Sequence, residues 1–318
     1  MPVAQLIDHI LAIIGKFDSA SRDACKTFLR QNHAMICAYT IWRELVRFRS
    51  IAVTAGNQYV ILPQYMASVL AVRYDTNTIL PVQKEYLYLT NPNVFEQAGE
   101  PVEYSMEKPV ATEVKPAGAG EKLKFKQVGA NDNGKKIKVV GEYQGVLYRE
   151  TVTLSSSADV PTANAYDSVW SIGKPEMEGD LEVVGNTSGT SLIKTWAEFR
   201  DVKCQQIHLH PTPSTAKNML VLYKVRPQPL IEDNDTPMLS FMENALIAFT
   251  IGSMLKRGRQ YAKANAQVEE GNALLALLKD EHQHQRANIV RIVPDNPFIP
   301  ADDVDFSCDS GYEQFMKA

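Results

Sequence analysis

Cysteine is scarce in this chain: four residues in 318, Cys25, Cys37, Cys204 and Cys308, with no CxxC pair among them. That spacing excludes a disulfide scaffold and a thiolate metal knuckle. Cys25 and Cys37 share one helical pattern, where twelve residues separate them by roughly 18 Å, beyond disulfide reach. Reduced thiols in a cytosolic setting are the expectation. Long apolar runs are also missing. The longest, ALIAFTIGSML (Ala245 to Leu255), is about half a membrane span. The apolar N-terminal stretch is interrupted by Asp8 and His9 and has no basic leader, so it does not read as a signal peptide, and the chain reads as soluble. Excess positive charge is absent as well: the formal net charge is −4, which argues against gripping nucleic acid by counterion release. No GxxxxGK[ST], HExxH, GxSxG or GxGxxG motif occurs, nor any internal repeat. The expectation is a protein that is not an enzyme and has no cofactor.

What is present is a split hydrophobic code. With 45% apolar and 22% charged residues, the chain can bury a core and should hold about two domains. Leu6, Ile7, Ile10, Leu11 and Ile14 line one face of a helix that Gly15 ends. Asp18 or Ser19 can cap a second helix running to about Val46. Phe28, Met35, Tyr39 and Trp42 fall at helical spacing on it, and Arg43 to Arg49 place positive charge near its C-terminal end, where the helix dipole favours them. At the other end, Leu239, Met242, Leu246 and Phe249 form a seam for helix packing, with Pro237 in the first turn. Gly252, Gly258 and Gly271 weaken a single long helix, so a break is expected between Lys256 and Ala262, with a second piece to about Gln285.

Between these ends the period becomes two. Tyr59 and Ile61, Val69 to Arg73, and Ile79 with Leu80 read as strands, followed by a short helix over Lys84 to Leu89 and another strand from Tyr104. From Val114 to Val184 come KLKFKQV, KKIKVVGEY, GVLYRETVTL, DSVWSIGK and DLEVVGN, separated by turn signals such as Gln144-Gly145. This pattern predicts a β-sandwich of immunoglobulin-like size without the Cys-Trp-Cys hallmark. CQQIHLH and MLVLYKV follow as strands. The predicted fold class is α+β. N- and C-terminal helices and a small β-sheet form one body (1–113 and 185–286), with an inserted Ig-like β-sandwich (114–184) and an extended C-terminal tail (287–318).

Candidate chemistry is thin. His208 and His210 point to one face of a strand, but no third metal ligand is fixed nearby, and Gln206 on the same face suggests a plain polar surface. His282 and His284 lie about 200° apart around a helix and cannot easily share a metal. Asp302, Asp303 and Asp305 lack the glycine and distal glutamate of a calcium loop. No metal site is expected.

The tail carries the strongest signal. Pro294, Pro297 and Pro300 favour extended backbone. From Asp295 onward six acids face Lys317 alone, about −5 before the terminal carboxylate. Phe298, Ile299, Val304, Phe306, Tyr312 and Phe315 are interleaved with them. Such a segment either packs on its own body or orders on a partner, aromatics in pockets and carboxylates on Arg or Lys. The candidate docking residues are Phe298, Ile299, Asp302, Asp303, Phe306, Tyr312 and Phe315.

Four phrases in order, IWRELVRFRS, YVILPQYMASVLAVRYD running on to NPNVFEQAGEPVEYSM, GEYQGVLYRETVTL with YDSVWSIGKP, and FRDVKCQQIHLHPTPSTAKNMLVLYKVRPQPLIEDNDTPML, carry a resemblance. The chain resembles the head-to-tail connector (portal adaptor) proteins of tailed bacteriophages over most of residues 1 to 290. The resemblance implies a structural virion protein of the neck, assembled in the host cytoplasm as a homo-oligomeric ring, commonly a dodecamer. Such a ring docks on the portal protein, continues to the tail or a second neck protein, and forms part of the DNA ejection channel. Genomic DNA passes its lumen without sequence-specific binding, and no membrane is involved. Two rivals stand beside it. One is a tail or baseplate attachment module, which an exposed Trp170 cluster favours. The other is a hydrolase working through paired carboxylates.

Overall fold

The computed structural model describes residues 1–90, 97–118, 120–129, 131–155, 159–197 and 199–290. It is a mixed α+β chain in two compact units, Met1–Val46 with the chain from Pro227 onward, and Arg47–Arg226. The sequence grouped the helices with the sheet as one body. Here the strands join the inserted segment, because the chain turns from helix to strand at Val46.

The helical unit begins with α1 (Val3–Ile14), whose Leu6, Ile7, Ile10 and Leu11 are buried. Gly15 closes it in the left-handed region (φ 71°), where a side chain is strained. Asp18 caps α2 (Ser19–Tyr39), its carboxylate accepting from Ser21 N at 2.8 Å. The α2 prediction needs two corrections. The helix stops at Tyr39 rather than Val46, since Thr40 is fully extended and β-branched Thr40 and Ile41 resist continuing it. Trp42 lies beyond the end, buried, and its indole donates to Ile36 O at 2.9 Å, serving a last-turn carbonyl. The buried stripe is therefore Cys25, Leu29, His33, Ile36 and Cys37, while Met35 and Tyr39 face outward.

A 3-10 turn (Ser240–Met242) leads into α4 (Glu243–Arg257), so Pro237 precedes the helix instead of sitting in its first turn. The seam of Leu239, Met242, Leu246 and Phe249 is buried as expected. The break falls between Arg257 and Tyr261, where α5 (Tyr261–Val290) starts. Helix α5 runs four residues into the segment predicted as an extended arm.

Two of the glycines that weakened the helical pattern have a packing reason. A Cβ on Gly271 would lie 3.0 Å from the Phe249 ring, and one on Gly252 would lie 3.0 Å from Val268 Cγ2 and 3.3 Å from Ala264 O. Their bare backbones let α4 and α5 approach closely. Helix α4 packs between α2 and α5, with α1 against α2 and α4.

The second unit has two parts. Strands β1 (Val46–Val53), β2 (Tyr59–Ile61), β3 (Met66–Tyr74), β4 (Asn77–Pro81), β6 (Glu103–Val110), β15 (Cys204–His210) and β17 (Lys217–Val225) form one sheet. Its order is β1-β17-β3-β4-β6-β15-β2. Between β4 and β6 lie α3 (Lys84–Thr90) and the two-residue strand β5 (Ala98–Gly99), which pairs with β16 (Thr212–Pro213). Strands β1 and β2 are the opposite edges of the seven-stranded sheet, yet only residues 54–58 join them. Six residue steps reach at most roughly 22 Å, whereas the edges of a flat seven-stranded sheet lie roughly 29 Å apart. The sheet must curl, and buried side chains from all seven strands do share one core, Val53, Val60, Val72, Ile79, Tyr104, Ile207 and Val221 among them. The small sheet expected is thus a seven-stranded one. The RFR phrase belongs to its edge strand instead of a helix end, with Arg49 over the Tyr65 ring at 5.4 Å.

The remaining strands form two four-stranded antiparallel sheets. One has the order β10-β7-β12-β13: β7 (Glu121–Val128), β10 (Val160–Tyr166), β12 (Asp180–Gly185) and β13 (Ser191–Thr195). The other is β14-β11-β8-β9: β8 (Lys136–Tyr143), β9 (Val146–Thr153), β11 (Ser168–Gly173) and β14 (Asp201–Val202). Leu123, Phe125, Leu181 and Val183 from the first meet Ile137, Val139, Val169 and Ile172 from the second in a single core. All five strands expected here are present. Strands β10, β13 and β14 were not anticipated, and β13 and β14 carry the layers past the expected boundary at Val184.

Candidate functional site

The seven tail residues proposed for docking, Phe298 to Phe315, lie outside the described residues, as do Asp305 and the three tail prolines. The side chains of His282 and His284 lie outside them too. Asking what the rest can do chemically leads first to the paired histidines.

His208 and His210 do share a face of β15, with ring centroids 4.1 Å apart. The polar surface expected there is not observed, because both rings and Gln206 are buried. Strand β6 packs alongside in antiparallel register, His208 opposite Ser105 and His210 opposite Glu103. His208 Nδ1 donates to Glu107 Oε1 over 3.2 Å, and Lys84 Nζ donates to the same oxygen. Tyr59 stacks on His208 at 4.3 Å, and Lys115 sits over the Tyr59 ring at 5.1 Å. Burial holds both imidazoles in the neutral form. It pushes His210 down to about 4, helped by the neighbouring His208, and lowers His208 against the opposing pull of Glu107.

Ser105 Oγ lies 2.9 Å from His210 Nε2, the separation of a nucleophile and its base. Access decides against that chemistry: Ser105 is 1% exposed and His210 0%. Among the hydrogen bonds described, the Glu107 carboxylate orients His208. The arrangement can lock β6, β15 and α3 together but offers a substrate no approach. Among the described residues no group of three His, Cys, Asp or Glu side chains gathers to hold a metal ion.

Two buried carboxylates that sequence reasoning did not single out are structural anchors. Glu121 accepts from Ala117 N, Thr187 N, Ser188 N and Ser188 Oγ. Burial alone would raise its pKa, but these four donors hold it below the ordinary value. Asp132 accepts from Glu178 N and Gly179 N and pairs with Lys135 Nζ at 2.6 Å. Both stitch loops to strands within the double sheet.

The remaining features are surfaces. In the helical unit Met35 and Tyr39 stand outward on α2 and Tyr261 and Leu277 on α5, Tyr39 at 52% and Leu277 at 68% exposure. Helices α2 and α5 each pack on α4, so these apolar groups stand on two different helices of the unit. On the double sheet, Trp170 is 37% exposed. No described helix is long and apolar enough to cross a membrane. No protein-family model and no curated protein matches the chain.

Proposed function

We propose that this chain is a structural connector of the head-to-tail adaptor kind, docking on a portal protein and joining it to the tail or next neck protein. The observation that carries the reading is the presence of large exposed apolar side chains on two different helices of the helical unit, α2 and α5. Two different patches that complement one another between copies make a heterologous contact, and such contacts form a ring where the rotation between copies closes. The sealed Ser105–His210 pair favours a structural over a catalytic role. In this reading the two facing sheets are the Ig-like sandwich, carried outside the ring. Residues 291–318 are the arm, with Phe298, Ile299, Phe306, Tyr312 and Phe315 filling pockets and Asp302 and Asp303 meeting cations of the portal. Repetition around a ring turns one modest contact into a durable joint.

Native mass spectrometry and negative-stain imaging of the purified chain, alone and mixed with portal protein, test this reading. A closed ring on the portal is the expected result, and removal of residues 291–318 should leave the subunit folded but unable to join. A chain that stays monomeric in both mixtures overturns it. The exposed Trp170 favours one rival, an attachment module, and the face that carries it has a chemistry of its own.

A further inference from the structure

The hairpin of β8 and β9 turns at Gln144-Gly145, both with positive φ (50° and 76°), the two-residue turn that fixes hairpin register. Counting back from it places Val140 opposite Arg149 and Lys138 opposite Thr151, as observed. On the other side of β8, Val140 pairs with Ser171 and Lys138 with Gly173, and the register slips between Val169 and Ser171. Val169 and Ile172 both point into the core. Trp170 and Ser171, between them, therefore turn outward together, two residues opposing one as a bulge requires.

The solvent face of this sheet is thus a small grid. One row holds Trp170 and Ser171, Val140 and Arg149; the next holds Lys138 and Thr151; Lys136 and Thr153 lie beyond. A cavity of about 260 Å³ opens on it, lined by Lys138, Val140, Arg149, Glu150 and Thr151. Its single acid, Glu150, accepts through Oε2 from Ala163 N, Asn164 N and Asn164 Nδ2 at 2.8–3.2 Å, while its Oε1 is buried without a hydrogen-bond partner among the described residues. Lys138 and Arg149 form no ion pair among the described residues. On the turn side, the row next to Val140 and Arg149 holds Glu142 opposite Leu147.

We propose that this face binds a carboxylate-bearing saccharide. Arg149 and Lys138 meet the carboxylate, Thr151 and Ser171 exchange hydrogen bonds with ring hydroxyls, and the Trp170 indole offers its flat face to the sugar's C–H side. Charge complementarity selects an anion. The hydroxyl-rich surround lacks the broad apolar centre of a protein interface, and one indole with three cations on a chain of net charge −4 is a poor track for nucleic acid. The site goes beyond the connector reading and does not rest on it.

Calorimetric titration of the full chain with hexagalacturonate and with oligosialate, against maltohexaose as the neutral control, tests the assignment. At least one acidic probe should bind and the neutral one should not. Trp170→Ala and the double variant Lys138→Ala/Arg149→Ala should each weaken binding roughly tenfold or more, with unchanged far-UV circular dichroism. These side chains are on the solvent face, so the fold tolerates their loss. Failure of both acidic probes, or equal binding by wild type and variants, overturns the site. So does a polyglutamate peptide that binds as tightly as the saccharide and is indifferent to Trp170→Ala. Ring assembly is read separately by native mass, so failure of the connector reading leaves this result interpretable.

Discussion

Acid should loosen the helical unit through a single imidazole. His33 sits on the buried stripe of α2, 4% exposed, with Cys37 Sγ 3.6 Å from its Nε2. Burial pushes it from 6.5 down to about 4. The sign follows from proton counting. Between those two values the unfolded chain holds a proton on this residue and the folded chain does not, so the stability present above pH 6.5 is lost as pH falls toward 4. At about 1.4 kcal/mol per pH unit, the full loss is about 3 kcal/mol, a large share of a typical domain's stability. Urea unfolding followed at 222 nm, at pH 7.5 and at pH 4.5, measures it, and His33→Gln supplies the comparison. Wild type should lose roughly 2–3 kcal/mol more than the variant between the two pH values, whatever the variant's stability at neutral pH. Equal acid losses in the two proteins would falsify the assignment of this sensitivity to His33.

Further outcomes follow from packing and burial. Gly271→Val should destabilise the helical unit by about 1–3 kcal/mol, because its side chain enters the Phe249 ring 3.0 Å away; an unchanged urea midpoint counts against close packing of α4 and α5. Glu121→Ala strips the acceptor from three backbone N–H groups and should cost roughly 3 kcal/mol, read as a lower midpoint for the double-sheet part. In native buffer Cys25, Cys37 and Cys204 should resist Ellman's reagent, since all three are buried and burial raises the Cys25 thiol to about 11 and Cys204 to about 12. Peptide mapping that finds any of the three labelled before unfolding contradicts this.

Local patterns placed most elements where they are found. The stripe of Leu6, Ile7, Ile10 and Leu11, the stop at Gly15 and the Asp18 cap need only nearest neighbours along the chain to be legible. The alternation in KLKFKQV and KKIKVVGEY is equally self-contained, and the Gln144-Gly145 turn even specifies which side chains of β8 and β9 are paired. Where the expectation failed, a distant segment had intervened. Val46–Val53 carries three polar charged or aromatic residues in a row that read as a helix end, but β17, some 170 positions later, supplies the edge that makes it a strand.

What the sequence determined alone was therefore periodicity: which residues share a helix face or a strand face, and where turns must fall. Which of those faces is buried was decided by tertiary structure. His208 and His210 had to lie together, on the face of β15 opposite the one Ile207 turns into the seven-strand core, and only the arrival of Tyr59, Ser105, Glu107 and Lys84 from other elements covered them. Gly252 and Gly271 looked like weak points in a helix until α4 and α5 were brought side by side. Periodicity comes from backbone geometry within a few residues, whereas burial depends on which surfaces the rest of the chain folds against.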